Sequence, residues 1–359
     1  MKILEFITPS NIGGAENYVV NISKKFIGKG HEVFILSSHA LTEKNQDLHF
    51  LPESGVPFKI INADFKYSPF TVLRVASFLK KNGFDIIHTH LSKANFIGAL
   101  AARIAGIKSV STAHGLNKKS QYKYADYVIC VSGAVRENLI SQGMKEEKLG
   151  IIYNGIDINK FNPDAESLQG RKEDSSDLAK SFNAGIIARL SREKGVDLFL
   201  EAAKLVLVKI PDAKFFIAGA GALKEALVKK ASDLGISDSV YFLGFVGGAG
   251  LVSFLNELDA VVFPSLKEGL PLSLLESMAM KKIVIASDAG GMPEVVEDGK
   301  NGFIVKKGDI NSIYQKLIFV YNNSNTLKNV RDEARKTVAE KFNIEKCADK
   351  TLELFSKYV

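Results

Sequence analysis

The chain has 359 residues, of which 46% are hydrophobic and 24% charged, and its formal net charge is +7. This length suits two domains, and the composition predicts a soluble globular protein without the roughly 18 consecutive apolar residues that a spanning helix needs. The only cysteines, Cys130 and Cys347, support neither a disulfide framework nor a zinc site, and they favour a reducing cytoplasm.

Short β-branched runs alternate with helical segments of 10–17 residues along the chain. Runs such as Ile283-Val284-Ile285-Ala286 are continuously apolar, as expected for strands buried on both faces. The pattern therefore predicts βαβ repetition and parallel sheets. Strands are predicted at 3–8, 31–37, 57–62, 85–90, 108–113, 127–132, 150–153, 183–189, 214–218, 240–243, 260–264, 283–287 and 303–305.

A polar stretch at 159–181 interrupts this repetition and predicts a linker. The fold class is therefore α/β, with two doubly wound (Rossmann-like) parallel-sheet domains facing each other across a cleft. We place the first domain at 1–165 and the second at 166–343, with a last helix at about 344–359 packing back on the first. Ligands bind at the carboxyl ends of parallel strands, so functional residues are expected directly after strands.

The excess of positive charge lies in the first half of the chain. Residues 1–165 contain 20 Lys/Arg and 14 Asp/Glu, a balance of +6, whereas residues 166–359 contain 27 and 26, a balance of +1. This asymmetry predicts a surface for an anionic partner, with ordinary solubilising charge as the alternative. No nucleic-acid motif is visible, so an anionic membrane face or a phosphate-bearing acceptor fits better. The basic, aromatic segment 118–124 could touch such a surface or form a solvated loop.

Two carboxylates, Glu268 and Glu276, flank a predicted helix start. Gly269 and Pro271 predict a tight turn, with Pro271 at the first helical position. The backbone N–H groups of Gly269, Leu270 and Leu272 would then point out of a helix N-terminus, which favours an anion. A carboxylate on each side could accept hydrogen bonds from the sugar and ribose hydroxyls of a nucleotide-diphosphate sugar. Alternatively, both glutamates are solvated surface charges.

Glycines and cations follow the first strand of each half. Gly13 and Gly14 let the backbone approach a ligand at a helix start, although the pattern is not G-x-G-x-x-G. Arg189 at a strand end and Lys194 five residues later could neutralise a diphosphate. The chain contains no Asp-x-Asp, so these two cations would act without a metal ion.

All six histidines lie in the first half. His88 and His90 alternate along one strand and would point to one face, which could suit a metal, but no third ligand is apparent. His114 ends the next strand and is the preferred cleft residue.

These landmarks, in this order, resemble those of the retaining glycosyltransferases of family 4 with the GT-B fold (glycosyl transferases group 1). The resemblance spans roughly residues 1–340 and rests on segments at strand ends: Gly13 to Glu16, His114-Gly115, Val131-Ser132, Tyr153 to Asp157, Arg189 to Gly195, Glu268 to Ala279 and Gly302-Phe303. It implies an acceptor-side first domain, a nucleotide-sugar-binding second domain and no cofactor besides the donor.

The resemblance also implies roles for the matching residues. Gly14, with Gly13, would pack against the donor phosphates, while Arg189 and Lys194 would hold the diphosphate. Glu268 would contact the sugar hydroxyls, Glu276 the ribose, and the backbone of Gly269 and Leu270 the donor. His114 would lie beside the reactive carbon, so the predicted catalytic set is His114, Arg189, Lys194 and Glu268.

The expected reaction is metal-independent hexosyl transfer with retention, from a nucleotide-diphosphate sugar to a hydroxyl of a glycolipid or cell-surface polysaccharide precursor. A uridine nucleotide is slightly favoured. The expected location is cytoplasmic, with peripheral contact to the inner face of a membrane. A nucleotide-sugar epimerase or hydrolase and a non-catalytic nucleotide-sugar-binding partner remain alternatives, whereas the broken glycine pattern disfavours a dinucleotide-dependent oxidoreductase.

Overall fold

The computed structural model describes residues 1–9, 13–38, 51, 54–61, 68–163 and 181–359. These residues form two compact units: unit 1 comprises Met1–Gly155 and Asn343–Val359, and unit 2 comprises Ile156–Phe342. The predicted boundary between 165 and 166 lies outside the described residues, as does most of the predicted linker at 159–181. Unit 2 begins earlier than this boundary because Ile156 N donates to Phe342 O at 3.0 Å and Arg335 Nη1 donates to Phe161 O at 2.7 Å.

The described part of unit 1 contains a parallel sheet of seven strands. The strands are β1 (Lys2–Ile7), β2 (Glu32–Ser38), β3 (Phe58–Ile61), β4 (Ile86–His90), β5 (Lys108–Ala113), β6 (Tyr127–Cys130) and β7 (Leu149–Ile151). Their spatial order is β3-β2-β1-β4-β5-β6-β7, and every pairing is parallel. The helices that belong to this unit are α1 (Gly14–Gly28), α2 (Pro69–Asn82), α3 (Ser92–Ala105), α4 (Gly133–Ser141) and, after unit 2, α11 (Ile344–Ser356).

The described part of unit 2 repeats this architecture with six strands. The strands are β8 (Asn183–Ile187), β9 (Lys214–Ala218), β10 (Val240–Gly244), β11 (Ala260–Phe263), β12 (Ile283–Ser287) and β13 (Phe303–Val305), in the order β10-β9-β8-β11-β12-β13. The helices are α5 (Val196–Leu207), α6 (Lys224–Asp233), α7 (Gly248–Asn256), α8 (Leu272–Ala279), α9 (Ile310–Asn322) and α10 (Lys328–Lys341).

The predicted strands are all present, with bounds that agree within two residues among the described positions. The continuously apolar central strands β11 and β12 are buried throughout, as expected where helices cover both faces of a sheet, whereas the edge strand β10 is partly exposed. In each sheet the strand order reverses once, between β1 and β4 in unit 1 and between β8 and β11 in unit 2. Such a reversal leaves a crevice at the carboxyl ends of the two strands, where ligands of this fold class bind.

The last helix, α11, packs on α1. The rings of Phe26 and Phe355 meet edge to face with centroids 5.9 Å apart, and Tyr18 Oη lies 3.7 Å from Cys347 Sγ. Ala348 and Phe355, which lie on the same face of α11, are fully buried. In the described part of the chain, no helix combines the length and apolar composition needed to cross a bilayer.

Candidate functional site

A depression lies at the strand-order reversal of unit 2. Its walls come from the ends of β8 and β11, the turn before α5 and the first turn of α8; its lining residues are Ile186, Ile187, Ala188, Lys194, Phe263, Pro264, Ser265, Glu268, Pro271 and Ser273. Two predicted site residues, Lys194 and Glu268, therefore share one hollow. It also lies where the topology predicts a ligand site.

Lys194 and Glu268 form the polar centre of this depression. Lys194 Nζ donates to Glu268 Oε2 at 2.5 Å, and Ser265 Oγ donates to the same oxygen at 3.2 Å. The side chains are only 17% and 10% exposed. A charge pair at this depth is poorly screened by solvent, so it can act strongly on a bound polar group.

Close backbone packing fixes the two loops that carry this pair. Leu266 N donates to Glu193 O at 2.8 Å, which ties the Glu268 loop to the Lys194 turn. Gly195 has φ +65°, and a Cβ there would lie 2.3 Å from Pro264 O. Only glycine therefore allows the turn before α5 to approach the end of β11 this closely.

Gly290 supports the Glu268 turn from the other side. It has φ +58°, and a Cβ there would lie 2.0 Å from Glu268 O. The next residue, Gly291, donates its N–H to Gly269 O at 2.8 Å. The segment after β12 thus holds the backbone of the site in place.

Gly290→Ala is expected to lower the free energy of unfolding by about 2 kcal/mol or more, because strained backbone and a backbone clash combine. Gly299→Ala is the matched control, since Gly299 also has positive φ (+74°) but nothing lies within 4 Å of an added Cβ. Urea unfolding of both variants measures the difference, and equal losses would contradict the proposed clash.

Helix α8 begins one residue later than predicted. Pro271 is the N-cap residue, with extended backbone, and Leu272 is the first helical residue. Ser273 Oγ donates to Ile187 O at 3.3 Å, which anchors this first turn to the end of β8. Gly269 and Leu270 are buried and lie outside the lining of the depression.

Glu276 lies on α8 and is partly buried. Burial raises the pKa of its carboxyl to about 7, while the positive charge of Lys160 acts in the opposite direction. Glu276 is thus neither fully solvated nor fully buried, and its surroundings favour the neutral form of the carboxyl.

Arg189 lies apart from the depression. It directly follows Ala188, a lining residue, but its side chain is 60% exposed and its Nη2 contacts Glu193 Oε1 at 3.0 Å. Burial alone would raise the pKa of Glu193. A hydrogen bond from its own backbone N–H and the positive charge of Arg189 outweigh this effect, so the pKa of Glu193 is lowered. Arg189 would have to leave this partner to meet a diphosphate in the depression.

In unit 1, the predicted glycines and His114 lie at the carboxyl edge of the sheet. Gly13 is the N-cap residue of α1, and Gly14 is its first residue. Tyr18, one helical turn further, places its ring edge-on to His114 with centroids 5.2 Å apart. Because residues i and i+4 share a helix face, His114 lies near the first turn of α1.

A buried cluster of polar side chains, which the sequence pattern did not predict, lies beneath His114. Glu5, on β1, pairs in register with His88 on β4, and its carboxylate contacts both histidines of that strand. The distances are 3.1 Å from Oε1 to His88 Nδ1 and 2.7 Å from Oε2 to His90 Nε2. His90 Nδ1 lies 3.0 Å from His114 Nε2, and His88 Nε2 lies 2.7 Å from Thr112 Oγ1.

The expectation that no third group accompanies the His-x-His pair is thus wrong. Glu5, His88 and His90 bring potential metal-ligating atoms within 4.8 Å of one another. Their contacts, however, are at hydrogen-bond distances, and each ring also uses its second nitrogen. The cluster is accordingly a satisfied hydrogen-bond network. The sequence signal for this cluster was Glu5, a charged residue within the apolar run of β1.

The basic, aromatic segment 118–124 is largely structural. Tyr122 is buried, and its hydroxyl accepts a hydrogen bond from Asn117 Nδ2 at 3.0 Å. Tyr124 packs on Phe96 with ring centroids 5.4 Å apart. The rings of Tyr122 and Tyr124 are thus packed within unit 1.

Comparison with solved structures defines the fold class. The chain matches a crystal structure of Anabaena HepE in complex with UDP-glucose, with a TM-score of 0.87, 22% identity and coverage of 99% of this chain and 100% of that one. It also matches the apo form of the lipopolysaccharide outer core galactosyltransferase WaaB, with a TM-score of 0.71, 20% identity and coverage of 99% of both chains. Two parallel-sheet units with such neighbours define a GT-B glycosyltransferase fold.

Sequence comparison identifies the family. The model "Glycosyltransferase Family 4" matches residues 12–160, and "Glycosyl transferases group 1" matches residues 172–337. A galactosyltransferase of Escherichia coli, which transfers from UDP-Gal to alpha-D-GlcNAc-diphosphoundecaprenol, is 30% identical over 79% of this chain and 78% of its own length. The N-acetyl-alpha-D-glucosaminyl L-malate synthase of Bacillus anthracis is 24% identical over 94% and 92%. The chain belongs to glycosyltransferase family 4 (glycosyl transferases group 1).

Proposed function

We propose that this glycosyltransferase transfers a sugar from a UDP-sugar to a hydroxyl of a lipid-linked or cell-surface polysaccharide precursor, with retention of configuration and without a metal ion. The observation that carries the proposal is the Lys194–Glu268 pair in the depression at the β8/β11 reversal. A cation beside a hydrogen-bond acceptor is what a sugar diphosphate requires: one group for the phosphate charge and one for the hydroxyls.

The charges that develop as the leaving group departs determine the role of each residue. Breaking the bond from the anomeric carbon to phosphate develops positive charge on the sugar and negative charge on the diphosphate. Lys194, assisted by Arg189 after it leaves Glu193, would stabilise the diphosphate. Glu268 would orient sugar hydroxyls, and Glu276 would accept hydrogen bonds from the ribose. The departing phosphate would help to deprotonate the acceptor on the same face of the sugar, which retains the configuration.

Two relatives support the choice of donor and acceptor. The Escherichia coli relative uses UDP-Gal and a diphosphoundecaprenol-linked acceptor, and a capsular polysaccharide biosynthesis glycosyltransferase of Staphylococcus aureus is 24% identical over 84% of this chain. We extend the donor class and the acceptor class, but no particular sugar, to this protein.

The test is a transfer assay with a panel of UDP-sugars and undecaprenyl-diphosphate-linked acceptors, in the presence and absence of EDTA. We expect transfer that depends on the acceptor, resists EDTA and gives a product of retained anomeric configuration by proton NMR. Turnover of the donor alone to a new sugar would favour an epimerase or hydrolase instead. Loss of activity with EDTA, restored by a divalent ion, would refute metal independence.

The raised pKa of Glu276 predicts that nucleotide binding weakens in acid. If only the ionised carboxyl binds the ribose, a pKa of about 7 leaves about one tenth of the protein competent at pH 6, against about nine tenths at pH 8. UDP should therefore bind about tenfold more weakly at pH 6 in calorimetry. Glu276→Gln is the matched control, because UDP's own titration affects both proteins equally. Identical pH profiles would contradict this role for Glu276.

We also propose that α2 contacts an anionic membrane surface. Phe70 and Leu73 are 79% and 55% exposed, and Arg74, Lys80 and Lys81 are exposed on the same helix. The helix contains no acidic residue, and the first 165 residues carry most of the net charge. Apolar side chains flanked by cations are suited to insertion among anionic headgroups.

Replacing both Phe70 and Leu73 with serine is expected to reduce sedimentation with phosphatidylglycerol-containing vesicles at low salt by at least tenfold, because each apolar side chain contributes about 1.5–3 kcal/mol when buried. Val208→Ser is the control, since Val208 is 69% exposed but lies in unit 2. Wild-type protein that stays in solution with these vesicles would refute the membrane contact.

A further inference from the structure

The Glu5–His90–His114 chain determines where the protons of these histidines lie. Burial alone would raise the pKa of Glu5, but the facing His88 and His90 outweigh it and lower this pKa to about 2. The carboxylate is therefore ionised and can only accept hydrogen bonds. His90 Nε2, at 2.7 Å from Glu5 Oε2, must accordingly carry a proton.

The arrangement then extends to His114. Burial, with the neighbouring His88, lowers the pKa of His90 to about 4, so its ring is neutral and its Nδ1 bears a lone pair. His114 Nε2, at 3.0 Å from that nitrogen, must therefore donate. Burial also lowers the pKa of His114, assisted by His90 and His88, so its Nδ1 carries no proton. Among the described residues, this nitrogen has no hydrogen-bond partner.

The ring of His114 is also fixed in orientation. Tyr18 packs edge-on against it, and the Tyr18 ring is buried on α1 on the same helix face as Gly14. A ring held on one side by a hydrogen bond and on another by an aromatic edge presents one defined atom to a ligand near the start of α1.

We infer that Glu5 and His90 are positioning residues that keep the proton of His114 on Nε2, so that Nδ1 accepts a hydrogen bond from a hydroxyl of the transferred sugar. The inference rests on the proposed function for the identity of that hydroxyl. The tautomer itself follows from the contacts among Glu5, His90 and His114. A His114 ring protonated on Nδ1 would instead present a donor, and the hydrogen bond to a hydroxyl would have to reverse.

Glu5→Gln tests the inference with nearly unchanged shape. The carboxamide oxygen can accept from His88, while its NH2 group donates to His90 Nε2. His90 would then carry its proton on Nδ1 and donate to His114 Nε2, which moves the proton of His114 to Nδ1. Thr112→Val is the matched control, because it removes the partner of His88 Nε2 in the same buried network but leaves the His90–His114 contact intact.

Long-range ¹H–¹⁵N correlation spectra of the full chain labelled with ¹⁵N-histidine measure the tautomers directly. His114 is assigned among the six histidines by its loss in His114→Asn. We expect Nε2–H in the wild type and in Thr112→Val, and Nδ1–H in Glu5→Gln. A wild-type His114 protonated on Nδ1 would overturn the inference, even if Glu5→Gln failed to fold.

Kinetics provide the second readout. Glu5→Gln should lower kcat for transfer about 10- to 100-fold, the usual cost of one mismatched buried hydrogen bond, while the Kd of UDP stays unchanged. A flipped tautomer with unchanged kcat would refute the positioning role. Because the spectra need no substrate, a protein that shows the expected tautomers but uses no UDP-sugar would refute the proposed function and, with it, the sugar contact, while the tautomer assignment would stand.

Discussion

Replacing Lys194 with methionine is expected to lower kcat/KM for the sugar-nucleotide donor by about 1,000-fold. Methionine approximates the length of the lysine side chain but would leave the proposed diphosphate without its buried cation. A factor of 1,000 corresponds to about 4 kcal/mol of lost transition-state stabilisation, within the range for removal of one preorganised electrostatic partner. Steady-state kinetics with a UDP-sugar and saturating acceptor measure the loss.

The control for this variant is Lys230→Met. Lys230 Nζ contacts Glu201 Oε1 in the same unit, and neither residue lines the depression. The control should retain activity, and thermal unfolding should show whether Lys194→Met retains the fold despite an unpaired Glu268. Retention of more than a tenth of wild-type kcat/KM in Lys194→Met would contradict the assignment of Lys194 to the leaving group.

Glu268→Ala is expected to lower kcat about 100- to 1,000-fold. The variant removes the proposed acceptor for sugar hydroxyls and also releases Lys194, whose Nζ is held 2.5 Å from Oε2. An interaction that orients the reacting sugar acts on kcat more than on nucleotide affinity, so the Kd of UDP should change little. Calorimetry with UDP and single-turnover transfer separate the two effects.

Two further variants sharpen this test. Glu268→Gln keeps an acceptor oxygen and should recover part of the lost rate, whereas Glu201→Ala removes a partner of Lys230 outside the depression and should have little effect. Because Lys194 and Glu268 contact each other, the losses of Lys194→Met and Glu268→Gln should not add in the double variant. Full additivity would indicate that the two side chains act on separate steps.

Much of the fold was predictable because both sheets are parallel and buried. Some strands that are covered on both faces, such as β11 and β12, are continuous apolar runs and were visible as such. The closeness of Lys194 and Glu268 was also predictable, since the two residues follow β8 and β11, which are neighbours in the sheet. A tight turn at Gly269 was visible too, but the cap geometry that moves the start of α8 past Pro271 depends on the loop's own backbone.

The buried network of Glu5 was not predictable in the same way. Alternation along β4 places His88 and His90 on one face, but only the register between β1 and β4 sets Glu5 beside them. Parallel strands distant in sequence carry no local signal for that register. The ion pair between Arg189 and Glu193 was also not predicted. The sequence suggested a diphosphate as the partner of Arg189, whereas in the structure its guanidinium contacts the carboxylate of Glu193, four residues later.

Unit 2 is an insertion within unit 1, since the polypeptide leaves unit 1 after Gly155 and re-enters it at Asn343. An added Cβ on Gly155 would lie 2.7 Å from Asn343 O, so the exit and re-entry points touch within unit 1. In unit 2, the first and last residues are likewise joined by the Ile156–Phe342 hydrogen bond. Unit 2 can therefore be removed as one continuous piece, because a short splice from Gly155 to Asn343 would close unit 1 on itself.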